Sequence, residues 1–434
     1  MFFQEEAKNK RLTKKNEMSK NLVKNNYIIK PFIVSAVIFI FVGSLIGSTW
    51  LAFILKANIP LFDGSFFNFH RTFLLESGLT LLIMGIGFMI VPRFRNIPIC
   101  SLKIIKVSFL SIIVSVFLAI VATFNMHEST VNEKIILVSE LFRTFGILLF
   151  VIKIFDTLKV KPKLLRTADY FIGFSSMCLL IVSILNLFKL NDNSLTDIEI
   201  QLLFPIIMIF GIEYKTLPSF LGFIRPKNKL GVMSLLSLIA AFIVGIATKI
   251  PSNDDAFLSS IFNLLVIFSS ITFSISIYLH SNYESKSHIL QSSSDKRERY
   301  LYTLYHTRIS FYFLCIGAFL AVLYYLFDKK FMFYDLSIHF IAIGFIGITI
   351  ASYIPMMLAP ILGKPIVVRK FNKIPLILIT VSLVIRTIGM TCTSYFDSNG
   401  FSLLHALTTT SGFLIPVAII IFILLLYISI KSNK

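Results

Sequence analysis

The chain has 434 residues, of which 56% are apolar, 45 are phenylalanine and only 15% are charged. A soluble domain carries about 25% charged residues, so the composition excludes a string of soluble domains and points to a bilayer as the main solvent. The formal net charge of +19 is spread over loops in a way that fits membrane topology, and no nucleic-acid partner is expected.

The first 31 residues are mostly polar and rich in lysine, too many for an ordinary cleaved signal sequence. They are expected to form a basic cytoplasmic tail. One transmembrane domain is expected over 32–428, followed by a short cytoplasmic tail over 429–434. Its twelve apolar runs lie near 32–55, 71–92, 102–124, 133–155, 168–189, 200–223, 230–250, 257–280, 306–327, 335–358, 374–394 and 402–428. Each has the length of roughly 20 residues that a hydrocarbon core of about 30 Å requires. The expected fold is all-α, a polytopic membrane bundle of about twelve helices.

When loops are assigned alternately to two sides, 31 Lys and Arg fall on the side holding both termini and seven on the other. Acidic residues show the opposite bias, eight against eleven. Lys and Arg collect in cytoplasmic loops, so both termini are predicted to be cytoplasmic in a multi-pass cell-membrane protein. The basic loops are expected to meet anionic lipid headgroups. The longest cytoplasmic connection, 281–305 with SHILQSSSDKRER, reads as a solvated linker or a short amphipathic piece.

The second span ends GIGFMIVPRF (85–94) and the sixth ends GIEYKTLPSF (211–220), both Gly-Ile-x5-Pro-x-Phe. A looser copy, GITIASYIPMM (347–357), ends the tenth with one more residue between Gly and Pro. Four helices separate successive copies. That spacing predicts three pseudo-repeats of four helices, roughly 32–155, 168–280 and 306–428, unlike the six-plus-six pattern of a large transporter class. Glycine allows helices to approach closely in a bilayer, and proline stops or bends a helix near its end. The cysteines Cys100, Cys178, Cys315 and Cys392 show neither metal nor disulfide spacing, and are expected to be small residues in or beside helices.

Seven histidines are present: His70, His127, His280, His288, His306, His339 and His405. In the predicted topology His70, His127, His339 and His405 belong to the outer side. His70 and His339 sit on repeat-equivalent spans, 22 and 16 residues before the matching prolines. Any one of them reads as a partly hydrated interfacial residue. As a pair facing across a bundle interior, two neutral imidazoles can supply both axial ligands of a haem. Six ionisable residues fall inside spans: Glu76, Glu140, Arg143, Glu213, Lys215 and Arg386. Such groups generally face a bundle interior or a cavity. Glu140 and Arg143 are three apart and can form a structural salt bridge. Glu213 and Lys215 fit either a polar seam between repeats or a proton or ligand path. Arg386 can grip a propionate in bidentate fashion.

These pieces resemble the NnrS family of haem- and copper-containing membrane proteins linked to nitric oxide metabolism, itself distantly similar in architecture to subunit I of the haem-copper oxidases. IKPFIVSAVIF (29–39) is similar to the family's opening Arg-Pro-Phe-Phe stretch, and FHRTFLLESG (69–78) to its His-x-His-Glu-Met segment. FGIEYKTLPSF (210–220) resembles its Gly-Gly-Arg-x-Ile-Pro-x-Phe segment, and HFIAIGFIGITIASYIPMMLAPILGKPI (339–366) its tenth-helix segment. The likeness covers nearly the whole chain. Departures are Arg71 and Thr72 in place of the intervening residue and second histidine, the loss of Glu-Met, Gly211, Ile212 and Glu213 in place of Gly-Gly-Arg, and Gly363, Lys364 and Pro365 where the family has a further histidine.

The resemblance implies a b-type haem, with His70 and His339 as the metal ligands, Arg386 as a propionate partner and His405 as a reserve ligand. Copper is doubtful, because family histidines are missing. The sixth and seventh spans hold none of the three further histidines of a haem-copper oxidase, so oxygen reduction by that mechanism is not expected. The implied role is nitric oxide response or membrane redox chemistry, with nitric oxide and a redox protein as possible partners. Two alternatives stay open. One is a proton-coupled transporter using Glu76, Glu140, Glu213 and Lys215; the other is a cofactor-free membrane subunit on an oxidase-like scaffold.

Overall fold

The computed structural model describes residues 28–56, 65–95, 97–99, 101–124, 129–160, 166–188, 195–221, 225–249, 255–281, 294–327, 330–354, 373–395 and 402–431. Among these residues the fold is all-helical, and twelve helices are long and apolar enough to cross a membrane. They are α1 (Lys30–Lys56), α2, α3 (Leu102–Phe124), α4 (Ser129–Lys159), α5 (Thr167–Leu187), α6 (Leu195–Leu221), α7 (Asn228–Ala247), α8 (Asp255–Ser276), α9 (Ser294–Leu326), α10, α11 (Ile374–Tyr395) and α12 (Ser402–Lys431). Two are composite. α2 runs as α-helix over Ser65–Arg71, π-helix over Thr72–Leu79 and α-helix again over Thr80–Phe94, while α10 has α-helix over Phe331–His339, π-helix over Phe340–Gly347 and helix onward to Ile354.

The chain is a multi-pass membrane protein with three helices inside and nine around them. In the most apolar stretch of α6 every residue is buried, against 83% in α2, 61% in α10 and no more than 50% in any other helix. The three buried helices are the ones that carry the Gly-Ile-x-Pro pattern. α6 packs against both α2 and α10, and around them α4 meets α5, α8 meets α9 and α12 returns to α1. Exposed Leu, Ile, Val and Phe on the outer helices, such as Leu110, Phe117, Leu236 and Ile423, form the apolar surface that hydrocarbon covers.

Three helix hairpins are joined alike, by small hydroxyl residues that let backbones approach. In α3–α4, Ser115 and Ser139 hydroxyls bond at 3.2 Å and Ser108 donates to the Gly146 carbonyl at 2.8 Å. In α7–α8, Ser234 and Ser269 bond at 2.8 Å and Ser237 donates to Leu265. In α11–α12, Ser382 donates to the Ser411 carbonyl at 2.7 Å. Each such bond contributes on the order of 0.6 kcal/mol in a bilayer, so they set spacing and register more than stability. The centre is aromatic: Phe210 of α6 stacks on Phe273 of α8 at 4.1 Å and meets Phe345 of α10 edge-on at 6.1 Å.

Element boundaries depart from expectation chiefly at α9. It begins at Ser294, not near 306, so the later part of the 281–305 connection is helix. Its Lys, Arg, Glu, Leu and Tyr include good helix formers, and an existing membrane helix supplies the nucleus to extend. The third pattern copy is described only as far as Ile354; Pro355 and the segment 355–372 lie outside the described residues.

Candidate functional site

Both π-helical stretches begin just after a histidine: His70 precedes Thr72 by two residues, and His339 is the residue before Phe340. A π turn widens the helix by one residue and is frequent at functional sites. In α2 hydroxyls take over the displaced carbonyls, Ser77 donating to Thr72 at 2.7 Å and Thr80 to Leu75 at 2.8 Å. Glycines make room for neighbours: a Cβ on Gly78 would lie 2.6 Å from Ile40, and one on Gly344 2.7 Å from Phe313.

The structure brings His70 and His339 together. Their ring centres are 6.4 Å apart and the planes differ by 24°. His70 Nδ1 donates to the Gly43 carbonyl of α1 at 2.8 Å, and His339 Nδ1 donates to the Asp335 carbonyl, one turn back in α10, at 2.6 Å. A carbonyl only accepts, so each bond places the proton of a neutral ring on Nδ1 and leaves the lone pair on Nε2. Gly47 on α1 is what admits the first ring, since any Cβ there would overlap the His70 imidazole.

Two ionic groups frame the pair. Arg386 of α11 grips Asp335 with Nε at 2.7 Å and Nη2 at 2.6 Å, both residues being buried, and Asp335 Oδ1 also lies 3.4 Å from His339 Nδ1. On the other side Arg71 pairs with Glu76 at 3.1 Å, Glu76 pairs with Arg143 of α4, and Arg143 pairs with Glu140. Four charges of alternating sign thus sum to zero within the bundle. An apolar cavity of about 250 Å³ opens beside the histidines, walled by α1, α2, α10, α11 and α12, with Ile40, Leu74, Ala342, Ile346, Ile379 and Ile415 among its lining. Its polar rim is His70, Arg71, Asp335, His339 and Arg386.

Arg386 therefore spends its bidentate fork on a carboxylate of the chain itself. The side chain of His405, and the residues His127, His288 and Cys100, lie outside the described residues. His306 donates Nδ1 to the Tyr302 carbonyl of its own helix at 2.5 Å. His280, beyond the end of α8, has its imidazole held below its ordinary value by burial and by Arg308. Lys215 belongs to a seam: it donates to the Phe94 carbonyl at the end of α2 at 2.7 Å, with its ammonium 4.3 Å from the Phe94 ring centre. Glu213, by contrast, is 1% exposed, and neither carboxyl oxygen has a hydrogen-bond partner among the described residues. Of the four residues a transporter path would use, Glu76, Glu140 and Lys215 are tied to partners.

Asp335, Arg71, Gly43 and Gly47 are the site residues that sequence reading missed. Asp335 carried a signal, an acid one helical turn before a histidine in an apolar run. No protein-family model matches this chain, and no curated protein matches it.

Proposed function

We propose that this protein binds a haem between α2 and α10, with His70 and His339 as axial ligands, and that it works in nitric oxide response or membrane redox chemistry, as the NnrS resemblance implies. The observation that carries the reading is the histidine pair: two imidazoles 6.4 Å apart, each with Nδ1 anchored to a backbone carbonyl. His70 and His339 would hold such a group through the Nε2 lone pair that each Nδ1 bond leaves available. An Nδ1 bond to a carbonyl is the usual support of a ligating histidine, because it fixes tautomer and ring orientation.

The donor set favours a macrocycle over a bare ion. Among the described residues no three His, Cys, Asp or Glu side chains gather as a metal ion would need, whereas a porphyrin supplies four nitrogens itself and asks the protein for two. The apolar cavity suits a flat apolar ring, and the Arg71 and Arg386 rim suits its carboxylates, Arg386 through the part of its guanidinium that Asp335 leaves over. When bound, such a group supplies one-electron chemistry. The chain's part is to hold the two rings, exclude water with the Ile, Leu and Phe walls, and balance charge with Asp335 and Glu76. Were His70 and His339 both to bind the metal, they would favour electron transfer or sensing over turnover. The bias of Lys and Arg supports a histidine end on the outer side of the cell membrane.

An absorption spectrum of the full chain purified from haem-replete cells tests this. A Soret band is expected, lost or shifted in His70→Ala and in His339→Ala and unchanged in His306→Ala. A colourless wild-type preparation overturns the reading.

A further inference from the structure

A second cavity, of about 40 Å³, is walled by α2, α4, α5 and α6 and shares Leu75 and Leu79 of its lining with the histidine cavity. One buried water needs roughly 10–15 Å³ by this measure, so the space admits about three. Its lining is mixed, with Glu76, Arg143, Asn186 and Gln201 set among Leu75, Ile147 and Phe204. An empty protein cavity is apolar, and a polar one of this size is hydrated.

Gln201 is the decisive residue. Its side-chain Oε1 and Nε2 are both shut off from solvent, and neither has a hydrogen-bond partner among the described residues. Leaving a buried amide unpaired costs about 1–3 kcal/mol, which a protein tolerates rarely and a membrane interior does not relieve. The backbone of the same residue also lacks its usual helical donor. Pro205, also in the cavity wall, has no N–H to give the Gln201 carbonyl four residues earlier. The Gln201 amide thus brings an unpaired donor and an unpaired acceptor to a space sized for water.

We infer that this cavity holds a cluster of about three waters, anchored by Gln201, that gives protons access to the buried Arg71–Glu76–Arg143–Glu140 network. Glu76 and Arg143 line this cavity, while Arg71, bonded to Glu76 at 3.1 Å, lines the adjoining histidine cavity. A proton entering the water cluster is then one ion pair away from the histidine site. The site and its test are independent of whether haem is bound.

A structure of the full chain at a resolution that shows ordered water is the direct test. Density within hydrogen-bond distance of both Gln201 side-chain atoms is expected; a dry cavity, or a Gln201 amide bonded only to protein groups, overturns the inference. Infrared-detected exchange of buried arginine N–H in D₂O tests the proton role. In Gln201→Leu that exchange is expected to slow about tenfold, the factor equivalent to lost hydrogen bonds of about 1.4 kcal/mol. Ser234→Ala, which alters the remote α7–α8 contact, should leave the rate unchanged. An unchanged rate in a folded Gln201→Leu protein refutes the proton role.

Discussion

Removing one member of the Asp335–Arg386 pair should be far worse than removing both. Asp335 is 3% exposed and Arg386 7%, and their charged groups meet through two parallel hydrogen bonds of 2.7 and 2.6 Å. At about 4 Å and an effective dielectric near 20 the attraction is about 4 kcal/mol, and breaking a buried pair from one side typically costs about 3–5 kcal/mol, because the survivor stays charged in an apolar place. Asp335→Leu and Arg386→Met should each lose that much. The double variant removes both desolvation costs and should lose only about 1–3 kcal/mol, not the roughly 6–10 kcal/mol that addition of the single losses gives. Reversible unfolding in mixed detergent, followed by helical circular dichroism for all four proteins, measures the coupling. Single losses below about 1 kcal/mol, or a double equal to the sum, would show a pair as weakly coupled as solvated surface pairs are.

Gly47→Ala drives a Cβ into the His70 ring and should cost about 1–3 kcal/mol, and under the proposed haem site it should also lower Soret intensity. Gly347→Ala meets nothing closer than the Ala342 carbonyl at 3.5 Å and should be nearly neutral by the same melt. Glu213→Leu replaces a carboxyl with no partner among the described residues and should raise stability by about 1–3 kcal/mol; a fall would reveal a partner, such as a bound water or cation, that the carboxyl needs. Lys215→Met deletes the bond to the last turn of α2 and the contact with Phe94, and should cost about 1–2 kcal/mol in thermal unfolding without changing the absorption spectrum.

Helix number and class were legible because hydrocarbon imposes one requirement on every span, an apolar run of fixed length, and that requirement is local. The same holds for Gly85, Gly211 and Gly347. Each lies on one of the three helices that proved most buried, and at Gly85 and Gly211 a Cβ would press on Phe32 at 2.7 Å and Ile172 at 2.9 Å, while Gly347 has room for one. His70 and His339 stood out as rare polar residues at equivalent places.

What joins those places is not local, and the tertiary structure decided it. Asp335 finds Arg386 at a separation of 51 residues, His70 finds the Gly43 carbonyl at 27, and Lys215 finds Phe94 at 121. Nothing in the neighbouring sequence encodes such partners. The π turns after both histidines are likewise a compromise among packing against α1, packing against α9 and the hydroxyl bonds available within α2, so no stretch of sequence read by itself fixes them. Composition determines that this chain lies in a membrane as twelve helices. The facing of two imidazoles over an apolar cavity follows only when α1, α2, α10 and α11 are brought against one another, because a charge or ring acquires its partner from whichever helix packing delivers.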